Sequence, residues 1–412
     1  MTELVIDRLA HLGDGVADTD RGPVFVPFTL PGERVRVGAI HKSRAALEEV
    51  LAPAPDRIEP VCSHFSTCGG CALQHVGTDR TARFKRDVVR GALDGQGVKA
   101  EQVHDTVSVP LESRRRVSLK AVWTRDGIIL GFAERASYTV INLSHCPVAA
   151  PHIVSALPSL RDLFRTLFSE RSRADLHVTL SETGLDLDLR MEREPTLDDR
   201  FDLADLAEAH DWARLSWNGE IISERRAPLL TIAGVAVHLP VGGFLQASAD
   251  TDRLFAEHIT KAVAGRKRVV DLFSGVGTIA LALAKSHAVA AVEGDKAACH
   301  ALRQAADGAA GAGRINPVKV LERDLFRRPL MAAELKGVDA IVFDPPRAGA
   351  EAQCREMAQS TVPLIVGVSC DPKSFARDAR LLCEGGYKLT AVTPIDQFRF
   401  SPHVEMIGVF ER

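Results

Sequence analysis

The sequence lacks an excess of positive charge, long apolar runs and an apolar leader. Its 51 Lys and Arg residues are outnumbered by 54 Asp and Glu residues, which gives a formal net charge of −3. Because the whole chain is not cationic, any surface that binds nucleic acid must be local. No stretch approaches the roughly 18 consecutive apolar residues of a membrane-spanning helix. The first ten residues carry Asp7 and Arg8 inside any apolar core, so we expect no signal peptide.

Cysteine is also scarce, with 8 residues in a chain of 412. Without a predicted leader or membrane span we expect a cytoplasmic protein, in which a framework of disulfides is uncommon. The cysteines are therefore candidates for metal binding or for catalysis. The length and the 46% hydrophobic composition predict two or three globular domains with ample core.

Residues 1–52 predict a small all-β domain. Residues 24–28 form one apolar strand, and Glu33–Val37 alternates with the period of two that is typical of a strand. A five-stranded barrel of the OB type, a fold that often binds RNA, fits this pattern. The domain has six basic against eight acidic residues, so its charge does not favour RNA. The Pro-rich run at residues 51–55 predicts a semi-rigid linker.

Three cysteines then occur within ten residues, at Cys62, Cys68 and Cys71. Two thiolates two residues apart can bind one metal from a tight turn, and Gly69-Gly70 removes the steric cost of that turn. A fourth thiol is needed to close the site, and Cys146 is the best candidate because the other cysteines lie in the second half of the chain. The spacing does not distinguish zinc from an iron–sulfur cluster. Unrelated free thiols are the alternative that the clustering disfavours.

Basic residues are concentrated between these candidate ligands. Residues 79–120 contain ten Lys and Arg against six Asp and Glu, an excess that could hold phosphates. The basic residues with helical spacing are Arg80, Arg83, Lys85, Arg86 and Arg90. A triplet of Arg114, Arg115 and Arg116 precedes a predicted strand. A solvated helix face is the alternative for the first group. Residues 151–235 predict an α+β region, with a helix at about 151–169 and a β-hairpin turning at residues 182–184.

The stretch Leu364–Phe375, with the sequence LIVGVSCDPKSF, predicts a buried strand followed by a helix. Pro372 ends the strand because it has no N–H to donate. Cys370 therefore lies where a strand meets a loop, the usual position of reacting groups in an open α/β sheet. A small buried apolar cysteine is the simpler alternative.

Residues 268–284 predict a strand, a Gly-rich turn and a helix, which is a cofactor-binding pattern. Gly275-x-Gly277-x-x-Ala280 also occurs in dinucleotide-binding proteins, so the glycines alone are weak support. A second strand ends in Glu293, whose carboxylate can accept hydrogen bonds from ribose hydroxyls. Asp271, before the turn, favours S-adenosylmethionine, whose amino-acid tail is not a pyrophosphate. A third strand leads to Asp324, where we expect a contact to adenine.

Four short motifs occur in one order: DLFSGVGT at 271–278, DPPRAG at 344–349, SCDP at 369–372 and HVE at 403–405. With the cysteine cluster, they resemble the RNA uridine-C5 methyltransferases over nearly the whole chain. Thr278 and Ser248 stand where many members have Asn, and Asp371 stands where Asn is frequent. These departures concern individual cofactor contacts and leave the reaction type unchanged.

The resemblance implies a fold class and three domains. Residues 1–52 are expected to form a TRAM domain, an OB-like β-barrel, and residues 53–240 a central α+β domain with the cluster and RNA-contacting basic segments. Residues 241–412 are expected to form a Rossmann-like class I methyltransferase domain with a doubly wound sheet. The protein is expected to act as a monomer on RNA.

The resemblance also implies roles for individual residues. Cys370 is the expected nucleophile at C6 of uracil, and Glu405 the expected base that removes the proton from C5, with His403 as the runner-up base. The expected cofactor residues are Gln246, Asp271, Phe273, Gly275, Thr278, Glu293, Asp324 and Asp344. Phe244 and Asp344 are expected to contact the target base, although core packing is the alternative for Phe244 and Phe273. The cysteines matching a four-iron–four-sulfur (4Fe-4S) cluster are Cys62, Cys68, Cys71 and Cys146.

The expected reaction is methylation of a specific uridine, and three other functions stay open. An RNA cytosine-C5 methyltransferase also uses a Cys nucleophile, but Glu405 and the motif from Asp344 to Arg347 favour uridine. An NAD-dependent oxidoreductase fused to an RNA-binding module, or a non-catalytic RNA-binding protein, would fit parts of the pattern. The TRAM-like unit with the cysteine cluster favours 23S rRNA over the tRNA T-loop as the substrate.

Overall fold

The computed structural model describes residues 2–412. The N-terminal segment forms two three-stranded antiparallel sheets, in the orders β1-β5-β6 and β2-β3-β4. Their strands are β1 (Thr2–Val5), β2 (Arg8–Leu9), β3 (Gly15–Thr19), β4 (Gly22–Val26), β5 (Arg34–Val37) and β6 (Leu47–Ala52). The alternation in β5 buries Val35 and Val37 against Ile6, Val24 and Val26. The all-β prediction is confirmed, although six strands in two sheets replace the expected five.

Within the Pro-rich run after β6, Ala54 packs against other residues, while Ala52, Pro53 and Pro55 are exposed. Ala54 is buried in a cluster with Leu30 and Leu73, and its N–H donates to Glu33 Oε1 at 3.2 Å. Glu33 also accepts from the side chain of Arg57 at 2.6 Å. The N-terminal sheets are therefore attached to the segment that carries the cysteine cluster.

A helix and two short strands follow the cysteine segment and pack with the C-terminal part of the chain. They are α1 (Thr78–Gly95), β7 (Ala100–Val103) and β8 (Val107–Ser108). Lys85 is completely buried and forms an ion pair with Asp396, 311 residues away in sequence. The prediction that Lys85 lies in a phosphate-binding or solvated basic face is wrong, because its ammonium group joins two distant parts of the chain.

The central region is a six-stranded sheet with the order β10-β9-β11-β12-β13-β14, covered on one face by helices. Its elements are β9 (Arg116–Thr124), β10 (Gly127–Gly131), α2 (Pro151–Ser155), α3 (Leu157–Leu167), β11 (Arg173–Ser181), β12 (Gly184–Arg190), α4 (Leu197–Ala209), β13 (Arg214–Trp217) and β14 (Glu220–Glu224). Alternate residues such as Leu176 and Val178 face α3, while His177 and Thr179 lie on the other, polar face. The predicted hairpin is confirmed, and the predicted helix is divided at Ala156.

The C-terminal part is a nine-stranded sheet in the order β19-β18-β17-β20-β21-β23-β22-β7, with β8 pairing with β22. Its elements are β15 (Leu229–Ile232), β16 (Val235–His238), α5 (Ala249–Ala262), β17 (Arg268–Leu272), α6 (Thr278–Leu283), β18 (Ala288–Glu293), α7 (Lys296–Gly311), β19 (Val318–Glu322), β20 (Ala340–Phe343), α8 (Glu351–Gln359), β21 (Leu364–Ser369), α9 (Pro372–Glu384), β22 (Lys388–Asp396) and β23 (Glu405–Glu411). The β15–β16 hairpin stands apart from this sheet but packs in its core.

The strands from β19 to β21 are parallel, whereas β23 runs antiparallel to both β21 and β22. The strand order reverses between β17 and β20, and ligands bind at such a point in open α/β sheets. The predicted Rossmann-like, doubly wound class is therefore observed. The division at residue 240 stays a prediction, and β7 shows that this sheet also takes a strand from the first quarter of the chain. Among residues 2–412, none of the helices is both long and apolar enough to cross a bilayer.

Candidate active site

The chain brings the ends of four strands to one edge of the large sheet. Ser369, the last residue of β21, is paired with Met406 of β23. One residue further towards this edge, Cys370 follows β21 and Glu405 begins β23, so the two side chains are neighbours. Asp344 follows β20, which lies beside β21, and its N–H donates to Leu272 O at the end of β17. This edge therefore collects the predicted nucleophile, the predicted base and one predicted uracil contact.

The Cys370 thiol is partly buried and lies in a negative environment. Burial raises the pKa of Cys370 to about 11, and the carboxylates of Glu405 and Asp344 contribute to this increase. Arg347 opposes them and favours the thiolate. Because only the thiolate is a good nucleophile, the ligand-free protein holds this group in its unreactive form at neutral pH.

Three carboxyl groups share the site. Burial raises the pKa of Asp344 to about 7, and it raises the pKa of Glu405 and of Asp271 well above their usual values. The negative charge of Asp344 raises the pKa of both neighbours further. Neither carboxyl oxygen of Asp271, nor Oε2 of Glu405, has a hydrogen-bond partner among residues 2–412. Buried carboxyl groups without partners are costly when ionised, which favours their protonated forms in the ligand-free protein.

Two buried glutamine side chains connect these carboxyl groups. Gln246 donates from Nε2 to Asp344 Oδ2 at 2.9 Å, and Gln397 donates from Nε2 to Gln246 Oε1 at 3.2 Å. The Ala247 N–H donates to Gln397 Oε1 at 3.2 Å, which sets the orientation of both amides. Gln397 also lies against Glu405 and opposes the increase in its pKa. Gln397 was not predicted from the sequence, in which nothing distinguishes it except that it is a polar residue directly after the end of β22.

Arg347 and His403 lie together beside the site. Arg347 has a guanidinium nitrogen 3.2 Å from His403 Nδ1. His403 precedes β23 and is not part of that strand. Its hydrogen-bond partner is a cation that also acts on Cys370, and its role as the runner-up base stays untested.

The Gly-rich turn after β17 is attached to the end of β18. Glu293 accepts from the N–H groups of Gly275 at 2.8 Å, Gly294 at 2.6 Å and Asp295 at 2.7 Å. Backbone amides thus already use much of the hydrogen-bonding capacity of the Glu293 carboxylate, which was predicted to bind ribose. Phe273 begins the turn with a φ of +61°, a strained value for a residue with a Cβ that is typical of functional sites.

The side chains expected around adenine have their own local contacts. Asp324 Oδ1 accepts from the N–H groups of Phe326 at 3.0 Å and Arg327 at 3.3 Å, which closes a turn after β19. The ring of Phe326 lies 5.5 Å from that of Phe273 and is 51% exposed. Phe326 was missed by the sequence analysis, although an aromatic residue two positions after Asp324 was a usable signal. Thr278 begins α6 and lines a groove of about 1020 Å³ between α5 and α6.

Phe244 is a surface residue, which removes core packing as its explanation. Its side chain is 68% exposed, and the Arg116 guanidinium lies 5.4 Å from its ring centroid. Arg116 also donates to Leu245 O at 2.7 Å. Phe244 lies two residues before Gln246 in the loop that leads to the site.

Two departures from the family pattern serve as helix caps. The Asp371 Oδ1 atom accepts from the N–H groups of Lys373 at 3.0 Å and Ser374 at 2.8 Å, so it caps α9. Ser248 Oγ accepts from the Asp250 N–H at 3.1 Å and caps α5. Both residues thereby satisfy amide groups that would otherwise lack partners at helix starts.

The four predicted cluster cysteines come together near the start of the central sheet. Burial raises the pKa of Cys71 to about 12, and the charges of Cys68, Cys146 and Cys62 raise it further. Cys68 is buried, and the Gly70 N–H donates to its Sγ at 3.4 Å. Within residues 2–412, however, no three His, Cys, Asp or Glu side chains are placed to hold a metal ion.

Most of the predicted basic residues have intramolecular partners. Arg80, Arg86 and Arg115 form ion pairs with Asp56, Asp105 and Asp252, respectively. Arg114 is largely buried, with its guanidinium 5.5 Å from the ring centroid of Phe398. Burial lowers the pKa of Arg114, and the charges that oppose this are those of Cys146 and Cys71.

The fold and the edge site define an S-adenosylmethionine-dependent methyltransferase with an α/β sheet. Residues 230–412 match the family described as tRNA (uracil-5-)-methyltransferase. The tRNA (uracil-54, C5)-methyltransferase of Pyrococcus abyssi, solved with S-adenosyl-L-homocysteine, is similar in fold. Its TM-score is 0.75 at 22% identity, covering 99% of this chain and 100% of that chain.

Two relatives extend the similarity along the whole chain. A protein of Caulobacter vibrioides named as an RNA methyltransferase is 42% identical over 100% of both chains. A 23S rRNA (uracil(1939)-C(5))-methyltransferase of Chromohalobacter salexigens is 33% identical over 99% of this chain and 89% of its own. The chain belongs to the family of S-adenosylmethionine-dependent RNA uracil-C5 methyltransferases.

Proposed function

We propose that this protein methylates C5 of one uridine in 23S rRNA, with Cys370 forming a transient covalent bond to C6. The observation that carries the proposal is the position of Cys370 and Glu405, side by side at the ligand-binding edge of the sheet. Asp344, fixed by Gln246, lies with them and has acceptor capacity for the uracil edge. The proposed nucleophile, the proposed base and the proposed uracil contact therefore lie at the same edge of the sheet.

The chemistry explains why a thiol is needed. Uracil C5 is a poor nucleophile, so direct methylation is slow. When the Cys370 thiolate adds to C6, the electrons of the C5=C6 bond move towards C5 and O4, and C5 becomes electron-rich. S-adenosylmethionine supplies a methyl group on a sulfonium, which this carbon takes up as the sulfur leaves with its bonding electrons.

Glu405 completes the reaction. After methylation C5 still carries its proton, and a base must remove it before the C5=C6 bond can form again. The electrons of the C–H bond then form the double bond, and Cys370 leaves C6 as a thiolate. The raised pKa of Glu405 makes its ionised form a stronger base than an exposed glutamate.

Formation of the thiolate requires a change in local charge. Two carboxylates raise the pKa of Cys370, and Arg347 is the cation that lowers it. A positively charged methyl donor beside Asp271 and Asp344 would offset these carboxylates and favour the thiolate. The nucleophile would then become reactive only when the donor is bound.

The donor is proposed to lie over the Gly-rich turn. Asp271 fits the donor's ammonium group, because its carboxyl oxygens are buried and have no partner among residues 2–412. The remaining contacts are proposed for Gln246, Phe273, Gly275, Thr278, Glu293, Asp324 and Asp344. A calorimetric titration with S-adenosylmethionine should show binding that Asp271→Asn weakens, whereas nicotinamide dinucleotides should not bind.

We also propose a 4Fe-4S cluster at Cys62, Cys68, Cys71 and Cys146. The support is the mutual effect of the charges of the four thiols on one another, and the half-buried guanidinium of Arg114, whose lowered pKa is opposed by the charges of Cys146 and Cys71. A cluster held by four thiolates is anionic and would pair with that cation. Uridine methylation needs no electron transfer, so the group would serve to cross-link the segment.

Metal analysis separates the alternatives at this cluster. Protein purified without oxygen should contain iron and acid-labile sulfide. Cys68→Ser should lose both, while Cys299→Ser, a buried thiol far along the chain, should retain them. Zinc in place of iron would contradict the proposed cluster.

The RNA target is proposed to be ribosomal. The support is the 33% identity, over nearly the whole chain, to an enzyme named for 23S rRNA. The tRNA enzyme from Pyrococcus shares the fold at 22% identity, so methylation of the tRNA T-loop is the second candidate. Mass spectrometry of methylated nucleosides in separated rRNA and tRNA decides between them, and also excludes or identifies 5-methylcytidine.

The decisive experiment uses RNA in which 5-fluorouridine replaces uridine. Fluorine at C5 blocks the final elimination, so a protein–RNA adduct that resists denaturation should accumulate with S-adenosylmethionine. Cys370→Ala should abolish the adduct, whereas Cys383→Ala, a partly buried thiol on α9, should not change it. Glu405→Gln should accumulate an adduct even on natural RNA. An adduct that persists in Cys370→Ala would overturn the proposal.

A further inference from the structure

A second cavity, of about 300 Å³, opens between the polar face of the central sheet and the loop that leads to Gln246. Its floor is formed by Arg116 on β9, His177 and Thr179 on β11, and Asp188 and Arg190 on β12. Its roof is the loop of residues 239–245. This volume is at the lower end of the range for small-molecule sites, so it suits a single ring system.

The roof loop is built to approach the floor closely. Gly242 has a φ of +65°, which favours glycine, and a Cβ there would lie 3.4 Å from both Arg190 and Asp188. A Cβ on Gly243 would lie 2.8 Å from Pro240. Gly242 therefore allows the left-handed backbone conformation of the roof, and Gly243 avoids a clash with Pro240.

The charges in the floor leave one cation available. Asp188 accepts from Arg190 at 2.6 Å and from Ser216 at 3.0 Å, and Asp186 accepts two hydrogen bonds from Arg214. Arg116 forms no ion pair among residues 2–412, and its guanidinium donates to Leu245 O at 2.7 Å beside the ring of Phe244. Arg116 is thus the arginine of the floor that lacks a carboxylate partner, which fits contact with an anionic group of a ligand.

The floor also offers polar groups that the protein does not use. His177 uses Nδ1 for Ser118 Oγ at 2.7 Å, which leaves Nε2 facing outward. The hydroxyl of Thr179 has no hydrogen-bond partner in the described part of the chain. These groups can donate to or accept from the edge of a heterocyclic base.

We propose that this cavity holds the base of a nucleotide that flanks the target uridine in the RNA substrate. Arg116 would contact the phosphate of that nucleotide, and the exposed ring of Phe244 would stack at the rim. The inference rests on the proposed function, because the same loop connects the cavity to the active site. Leu245 lines the cavity, and Gln246 contacts Asp344, so the two sites are one residue apart in the chain.

The test removes one base at a time from the RNA. The probe is an RNA oligonucleotide centred on the uridine that the enzyme methylates in cellular RNA, with single flanking nucleotides replaced by abasic ones. Affinity is measured in the presence of S-adenosylhomocysteine. At one flanking position, the abasic substitution should weaken binding to the wild type by about tenfold, the usual value of a stacked base.

Filling the cavity should remove this positional sensitivity. Thr179→Phe should weaken binding of the intact RNA by a similar factor, with no further loss at the sensitive position. The matched control, Thr166→Phe, lies on α3 on the opposite side of the sheet and should behave as the wild type. His177→Ala, at an exposed position that folding tolerates, should reduce the same positional loss without filling the cavity.

The outcomes are separable. If neither Thr179→Phe nor His177→Ala alters the loss at any position while the wild type methylates its RNA, the cavity does not hold a base and the inference is overturned. If the wild type methylates no uridine in any RNA, the proposed function itself has failed.

Discussion

Replacing Asp344 by asparagine should stabilise the ligand-free protein, and the gain should grow with pH. The pKa of Asp344 is raised from 3.8 to about 7, first by burial. A carboxyl whose pKa is raised by folding costs stability once it ionises, so stability is lost as the pH increases from about 4 to about 7. Asparagine keeps an acceptor for Gln246 and carries no charge to bury.

The magnitude follows from the shift. The change from 3.8 to about 7 is about three units, and each unit corresponds to about 1.4 kcal/mol. The raised pKa lies about two units above pH 5. The free energy of unfolding can therefore change by at most about 3 kcal/mol between pH 5 and pH 8. Because Asp344 keeps some contact with solvent, we expect about 2 kcal/mol. Loss of its charge should also lower the pKa of Glu405, which Asp344 raises.

Urea unfolding followed by circular dichroism at about pH 5 and about pH 8 measures this difference. The control is Asp339→Asn, at the other end of β20. Asp339 accepts from the N–H groups of Arg268 at 2.8 Å and Lys267 at 3.1 Å, which lower its pKa. It is ionised at both pH values, so its replacement should have the same effect at each. A gain for Asp344→Asn that is flat, or that falls with pH, would refute the reasoning.

Three further predictions concern the residues around the site. Gln397→Ala leaves Gln246 Oε1 unpaired and should lower kcat by about tenfold in single-turnover methylation, with little change in donor binding. Arg347→Met removes the cation that favours the Cys370 thiolate. The pH profile of the rate of adduct formation should therefore move to higher pH than that of the wild type, by up to about one unit. Lys85→Met leaves Asp396 buried, with Arg399 at 3.6 Å as its remaining cation, and should lower the free energy of unfolding by about 3 kcal/mol in urea titrations.

Local patterns were enough to predict much of the sheet. The apolar runs of β20 and β21 and the hairpin of β11 and β12 are visible because strands and tight turns are coded within a few residues. Cys370 was predicted as a reacting group from its position after a strand, whereas Glu405 was expected as the base from the resemblance to the family. Their side-by-side placement required the register of β21 against β23, which no local pattern contains.

The residues that escaped prediction are those whose partners are distant in sequence. Lys85 has the spacing of a surface helix, and only the position of Asp396 shows that it is buried. Gln397 has no motif around it, and its role depends on Gln246, 151 residues earlier. Ala54 lies in a Pro-rich run typical of a linker, yet it packs against Leu30. Tertiary contact decided each of these cases.

The loop of residues 397–404, directly before Glu405, contacts the segment that carries the cysteine cluster. The N–H groups of Ala72 and Leu73, directly after Cys71, both donate to Phe400 O, at 2.8 and 2.9 Å. Phe400 has a φ of +62°, a strained value that these contacts help to maintain. Lys85, on α1, donates to Phe398 O of the same loop at 3.1 Å. These contacts attach the cysteine segment to the loop before Glu405, so the proposed cross-link among the cysteines would help to hold the proposed base in position.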